Sequence, residues 1–200
     1  VHMNTTVVEH KETPTDHNIL DVIKNRWSPR SFTDETISEE TLNRLFEAIR
    51  WAPSAMNEQP WRFIVGKKDD PAHQRMIEGL MPGNQPWAKN APVLLTTIIK
   101  KTYTKNGAPN GSAKHDMGLA IGNLSAQATH EGIGLHQMGG IDRANLAELF
   151  NLPDDYEIVT VIALGYFGNP DDLTEDLKAR ELAPRSRKAL NEIIYYGDFK

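Results

Sequence analysis

Seven consecutive residues, Val93-Leu94-Leu95-Thr96-Thr97-Ile98-Ile99, contain no charge and are mostly β-branched. Such a run reads as a strand buried on both faces, because a strand with one wet face would alternate with polar residues. Glu157 to Tyr166 is a second strand of this kind, and residues 61–66 alternate loosely enough to be a third. Sheets covered on both sides need helices, and helical spacing is present in several stretches. Ser38 precedes Glu39 and Glu40 and then Leu42, Leu45, Phe46 and Ile49, a good helix N-terminus with a one-sided apolar stripe, although Thr41 leaves the capping box incomplete. Asp142 can cap a helix that buries Leu146, Leu149 and Phe150, and His73 to Leu80 can form a short one. Asp16 can cap another, with Ile19, Leu20, Val22 and Ile23 as its apolar side. Strands interleaved with helices indicate an α+β or mixed α/β domain. The 200 residues suffice for one domain with a real core, and no repeat or linker divides them. Residues 1–15 read as a flexible leader, with Val1-His2 an expression scar, and residues 16–200 as one domain.

Composition excludes several functions. A net charge of -5 with no basic stripe argues against a nucleic-acid backbone binder. With no cysteine, the chain has neither disulfides nor a thiolate nucleophile nor a Cys-based metal site. No convincing His/Asp/Glu metal cluster stands out either. The longest apolar runs are of strand length, too short for a bilayer, and the N-terminus has no basic-then-apolar signal. These features fit a cytoplasmic location.

The chemistry-bearing residues fall into separated stretches. Arg26-Trp27-Ser28-Pro29-Arg30 sits at a helix end, since a residue before proline avoids the helical region. Its guanidinium groups and hydroxyl can grip a phosphate, or simply lie solvated at a helix C-terminus. Trp51 to Val65 passes from a helix tail through a polar turn, bracketed by Pro53 and Pro60, into a strand. Ser54, Asn57 and Gln59 there offer the donors and acceptors that suit the edge of a planar ligand. Pro82-Gly83 and Pro86 place Asn84, Gln85 and Trp87 in a loop, and residues 100–113 read as an exposed connection or lid. In the helix spanning roughly 112–131, Gly118 and Gly122 allow close packing against another helix or subunit, or simply belong to a buried core helix. Gly132 to Gly140 holds four glycines in nine residues and reads as a tight turn, with the Gly139 and Gly140 amides free to meet a ring atom or anion. It is not a dinucleotide-binding G-x-G-x-x-G motif. His136 favours a structural or polar-lining role. Arg185-Ser186-Arg187-Lys188 forms a second basic knot that can converge with the first on one phosphate.

These motifs occur in an order that resembles the FMN-dependent nitroreductase family over roughly residues 18–199. They are Arg26-x-Ser28-x-Arg30, Pro53-Ser54-x-x-Asn57-x-Gln59-Pro60-Trp61-x-Phe63, His115-Asp116-x-Gly118-x-Ala120-x-x-Asn123-Leu124, the 132–140 segment and the basic tail. The resemblance implies an α+β fold with a mainly antiparallel central sheet flanked by helices. It implies a homodimer with FMN sites at the subunit interface and a C-terminal extension exchanged between subunits. It gives Arg26 and Arg187 phosphate roles, assisted by Ser28 and Arg185, and places Arg30 beside the flavin pyrimidine. Pro53, Ser54, Ala55 and Asn57 would lie around the isoalloxazine, with Trp27, Asn84, Gln137 and Met138 also at the cofactor. Gly139 and Gly140 would bring amides near N5 and O4; some relatives carry an acid at position 139, a role this chain lacks.

The implied activity is a ping-pong oxidoreductase without a protein nucleophile or metal. NADH or NADPH reduces the flavin transiently, and a nitroaromatic, quinone or other conjugated small molecule accepts the electrons. Reductive dehalogenation, flavin fragmentation and a non-enzymatic flavin-binding dimer are the alternatives.

Overall fold

The computed structural model describes residues 11 and 13–199; residues 1–10 and 12 of the expected leader lie outside the described residues. In chain order the elements are α1 Asp21–Lys24, α2 Glu39–Arg50, β1 Trp61–Lys67, α3 Pro71–Glu78, α4 Gln85–Ala88 and β2 Val93–Lys100. There follow α5 Ala113–His130, β3 Ile133–Met138, α6 Arg143–Leu149, β4 Tyr156–Tyr166 and α7 Glu175–Leu182. The four strands form one sheet in the order β1-β2-β4-β3, with every neighbouring pair antiparallel. The two long apolar runs are thus the two central strands, in register with Leu95 opposite Ile162.

Both sheet faces are buried, and the period of two sorts the side chains between them. Leu95, Ile99, Ile162 and Leu164 pack with Leu42, Leu45 and Ile49 of α2 and Met117, Ala120 and Leu124 of α5. Leu94, Ile98, Val161 and Ala163 pack on the other side with Met76 of α3, Trp87 of α4 and Leu146 of α6. Each fully buried Leu or Ile contributes roughly 1.5–3 kcal/mol of transfer free energy, so this double-sided core dominates stability. The caps form as expected. Ser38 Oγ accepts the Thr41 N–H at 3.1 Å, and Asp142 accepts the Asn145 N–H at 3.0 Å. The capping box stays incomplete: the Ser38 hydroxyl donates to Thr41 Oγ1 at 2.9 Å, and no side chain at position 41 reaches back to the Ser38 N–H.

Three expectations are corrected. The helix expected after Asp16 shrinks to the four residues of α1, with Leu20 rather than Asp16 at its N-cap. Ile19, Leu20 and Ile23 remain exposed, so no buried face supports the costly first turn. The Pro82–Trp87 loop contains helix α4, started by Pro86 in its first turn, and Trp87 is core rather than surface. Finally, residues 133–138 are not a turn but the edge strand β3. Ile133 and Leu135 alternate inward there, while Gly132 takes the left-handed conformation (φ 73°) that turns α5 into the strand. Gly134 is glycine because the Pro29 ring would lie 2.5 Å from any Cβ at that position.

Among the described residues, no helix is long and apolar enough to cross a membrane.

Candidate functional site

The Arg26–Arg30 segment runs beside β3 and is pinned to it by its hydrophobic members. Trp27 is buried and stacks on Phe167 with ring centroids 5.5 Å apart. The Pro29 carbonyl accepts from Nδ1 of His136 at 2.9 Å, which fixes the tautomer with the proton on Nδ1. The other side of that imidazole meets the Trp87 ring at 4.5 Å. Burial holds His136 down to about 4, aided by the charges of Arg30 and Arg26 and opposed by its backbone hydrogen bonds. It is therefore neutral near pH 7, a strut between β3 and the loop rather than an acid–base group. Anchoring Trp27 and Pro29 leaves Arg26, Ser28 and Arg30 only partly buried, as ligand-facing residues need to be.

The chain returns to this loop more than 150 residues later. Glu181, at the end of α7 and 2% exposed, accepts the Arg30 N–H on Oε1 and Oε2 at 2.9 and 3.0 Å and the Ser31 N–H at 3.1 Å. Arg185 donates to the Lys24 carbonyl at 2.9 Å and to Thr13 Oγ1. The two basic knots do converge. Burial lowers the pKa of Arg26, and the next cause is the charge of Arg187. Arg185 is lowered likewise by burial and then by Arg26 and Arg187. Among the described residues, no carboxylate pairs with Arg26, Arg185 or Arg187, while Arg26 reaches Ser28 Oγ only at 3.4 Å. Three repelling guanidinium groups without an acid form a cradle that a phosphate dianion would relieve.

At the end of β3, Gln137 is exposed, Met138 is buried, and Gly139 and Gly140 lead into α6. Asn84 Nδ2 and the Met81 N–H both donate to the Gly140 carbonyl, at 3.1 and 3.0 Å. Gln85 bonds back to the Leu80 carbonyl at 2.8 Å, so the two amides predicted in this loop brace it. Around Gly139 there is open space where a Cβ would stand, whereas Gly140 is hemmed in by Asn84 Nδ2 at 3.0 Å.

The Pro53–Asn57 turn is built differently. Ser54 Oγ accepts the Gln59 N–H at 3.0 Å, and the Asn57 N–H closes on the Ser54 carbonyl at 3.0 Å. Met56, Asn57 and Gln59 all adopt left-handed backbone, with φ of 56°, 54° and 51°. Each costs roughly 1–2 kcal/mol for a residue with a Cβ, so other contacts must hold the turn. Two are visible. Asp116 of α5, 2% exposed, accepts the Ala55 N–H at 3.0 Å, and Glu58 Oε1 accepts the Thr104 N–H at 2.8 Å. The 100–113 connection is thereby fastened to the turn, with Met56 and Asn57 left exposed.

The predicted site residues therefore form two groups. Arg26 to Arg30, Asn84, Gln137 to Gly140, Arg185 and Arg187 flank β3, one edge of the sheet. Pro53, Ser54, Ala55 and Asn57 precede β1, the opposite edge, at the same end of the sheet as Gly139. Three strand spacings, about 14 Å, separate the two edges. Asp116 and Glu181 are the contributors that sequence reading missed. Asp116 stands in a recognised motif, but Glu181 looks like one acid among many in an exposed helix.

The nitroreductase family model matches residues 23–81 and 67–166, the greater part of the chain and all four strands. The chain belongs to the nitroreductase family. A solved structure described as an oxidoreductase containing FMN is 33% identical, with a TM-score of 0.87 over 94% of this chain and 96% of that one. The Major NAD(P)H-flavin oxidoreductase of Aliivibrio fischeri is 27% identical over 89% of this chain and 98% of its own length. The Iodotyrosine deiodinase of Thermotoga neapolitana is 25% identical over 88% and 95%. The nitroreductase match ends at Tyr166, so α7 and the basic tail lie beyond the matched residues.

Proposed function

We propose that this nitroreductase-family chain binds FMN and works as an NAD(P)H-dependent oxidoreductase, with nitroaromatics, quinones or related conjugated compounds as acceptors. The observation that carries this reading is that Arg26, Arg185 and Arg187 come together with no carboxylate paired to them among the described residues. Likeness to an oxidoreductase containing FMN supports the same choice of anion. In this reading Arg26 and Arg187 hold the phosphate, with Ser28 and Arg185 assisting. Arg30 faces the pyrimidine, where a fixed positive charge favours anionic reduced flavin. Trp27, Asn84, Gln137 and Met138 frame the site, and the Gly139 and Gly140 amides serve as donors to the ring. A bound FMN supplies the redox chemistry, passing reducing equivalents from NAD(P)H to the acceptor. The protein's work is to fix the ring's orientation and the charge around it.

The separation between the sheet edges favours a site completed by a second copy of the chain. We infer a homodimer in which Pro53, Ser54, Ala55 and Asn57 of one subunit approach the β3 flank of the other. Among the described residues nothing lies within 4 Å of a Cβ built at Gly118 or Gly122 on the outer face of α5, so packing against the described chain does not explain these glycines. Leu119 is exposed between these glycines, Trp51 and Met56 are exposed around the Pro53–Asn57 turn, and Leu190, Ile193, Ile194, Tyr196 and Phe199 are exposed along the tail. A tail that crosses to the partner would cover those side chains.

The test is reconstitution with FMN, followed by anaerobic reduction with NADH or NADPH and an acceptor panel. The panel includes a halogenated phenol, given the likeness to Iodotyrosine deiodinase. Arg26→Met or Arg187→Met should weaken FMN by about 10- to 100-fold, the equivalent of one charged hydrogen-bond set, and leave riboflavin little changed. Equal losses for both flavins would refute the phosphate assignment.

A further inference from the structure

We propose that Glu181 is a positioning residue that fastens the Arg185–Arg187 segment onto the Arg26–Arg30 loop, and so sets how strongly the phosphate end of the site discriminates. This rests on the FMN reading above.

The need for such a fastener is electrostatic. Arg26, Arg185 and Arg187 repel one another, and Lys11 and Arg30 stand nearby. Hydrophobic anchorage is missing: Leu182 is 39% exposed, and residues 183, 184 and 186–188 are exposed. Left to itself, a cationic, apolar-poor segment would swing away from the other cations. Glu181 is the last strongly buried residue before it. Its carboxylate takes three short contacts from the consecutive amides of Arg30 and Ser31, and Arg30 Nη1 lies 3.9 Å from Oε2. Both oxygens face N–H donors, an arrangement that seats the ionised form. Burial pushes the Glu181 pKa up, while the Arg30 and Ser31 amides and the charges of Arg30 and Lys11 pull it back. Two further bonds finish the attachment: Lys11 Nζ to the Ala183 carbonyl at 2.6 Å, and Arg185 to the Lys24 carbonyl at 2.9 Å. Only Glu181 among these fasteners is buried, so it fixes the point from which the four residues to Arg185 are measured.

The experiment compares FMN with riboflavin on the full chain. In Glu181→Gln the shape is kept, but one oxygen becomes an NH2 group facing an amide N–H. The expected result is about a tenfold fall in FMN affinity with riboflavin affinity unchanged, because the Arg185–Arg187 segment is released while Trp27 and Pro29 still pin the loop that carries Arg30. An unchanged FMN:riboflavin ratio overturns the proposal. So does an equal loss of both flavins, which marks a general structural role. Should the Gln variant not fold, Glu181→Asp retains the charge but withdraws it by one methylene; the same ratio is read, and an unchanged ratio overturns the proposal. Failure of the FMN reading shows separately, as a wild-type protein that binds FMN no better than riboflavin.

Discussion

His136 gives the sharpest prediction for stability. Its pKa falls from 6.5 to about 4 because burial between Pro29 and Trp87 disfavours the imidazolium. Above pH 6.5 the folded and unfolded states both hold it neutral, and its contribution is fully present. As pH drops from 6.5 to about 4, the unfolded chain takes up a proton that the folded chain refuses, so stability falls; below about 4 the loss is complete. At about 1.4 kcal/mol per unit, the whole window removes roughly 3 kcal/mol, a large share of a typical domain's 5–15 kcal/mol. His73, buried against the Ala91 carbonyl, is also lowered and acts in the same direction. Glu181, raised by burial, acts oppositely, since its contribution declines as pH rises from its ordinary value toward its raised one. Comparing wild type with His136→Gln cancels both. Urea unfolding of the flavin-free proteins at pH steps from about 4 to about 8 should give a wild-type slope steeper than the variant's by up to about 1.4 kcal/mol per unit between about 4 and 6.5. Parallel curves would show that His136 titrates normally in the fold and that the strut is wrong.

Other perturbations reach the remaining features. Asp116→Ala strips the Ala55 amide of its acceptor and should cost about 1–3 kcal/mol, seen as a lower melting temperature and faster hydrogen exchange in residues 53–59. Unchanged exchange there would mean that the turn is held by other contacts. Gly122→Ala separates a lone chain from a packed one. With open space around it, alanine should stabilise the helix by roughly 1 kcal/mol in a monomer. In the proposed dimer it should instead weaken association, and sedimentation at several concentrations decides between them.

Much of the fold was legible because its centre is hydrophobic patterning. Two long apolar runs belong between other strands, and the sheet order places both there. The Ser38 and Asp142 caps are local chemistry and were equally readable. β3 was hidden because four glycines, at positions 132, 134, 139 and 140, look like a turn; Gly134 is small for the sake of Pro29, a partner 105 residues away. α1 failed for the opposite reason, since Ile19, Leu20 and Ile23 stay exposed even though the helix lies beside α5. Of the site, the guanidinium cluster was foreseeable from two basic knots and the chemistry of phosphate. The buried acids were not. What distinguishes Glu181 from its acidic neighbours is where α7 lands, and no local pattern encodes that. Nor does local sequence reveal that the Pro53–Asn57 turn and the Gly139–Gly140 amides end on opposite sheet edges.

The join between the two ends of the sequence bears on the order of events during synthesis. Hydrogen bonds from the Arg30 amide to Glu181, from Arg185 to Thr13 and from Lys11 to Ala183 span 151, 172 and 172 residues. The sheet can close once β4 has left the ribosome, but the anion cradle cannot form until the residues after α7 emerge. A nascent chain stalled near Tyr166 would thus have its core strands and lack Arg185 and Arg187, the residues proposed to reach the phosphate. Flavin loading on this account follows translation of the tail, and ageing or proteolysis that clips the tail would release the cofactor before it unfolds the sheet.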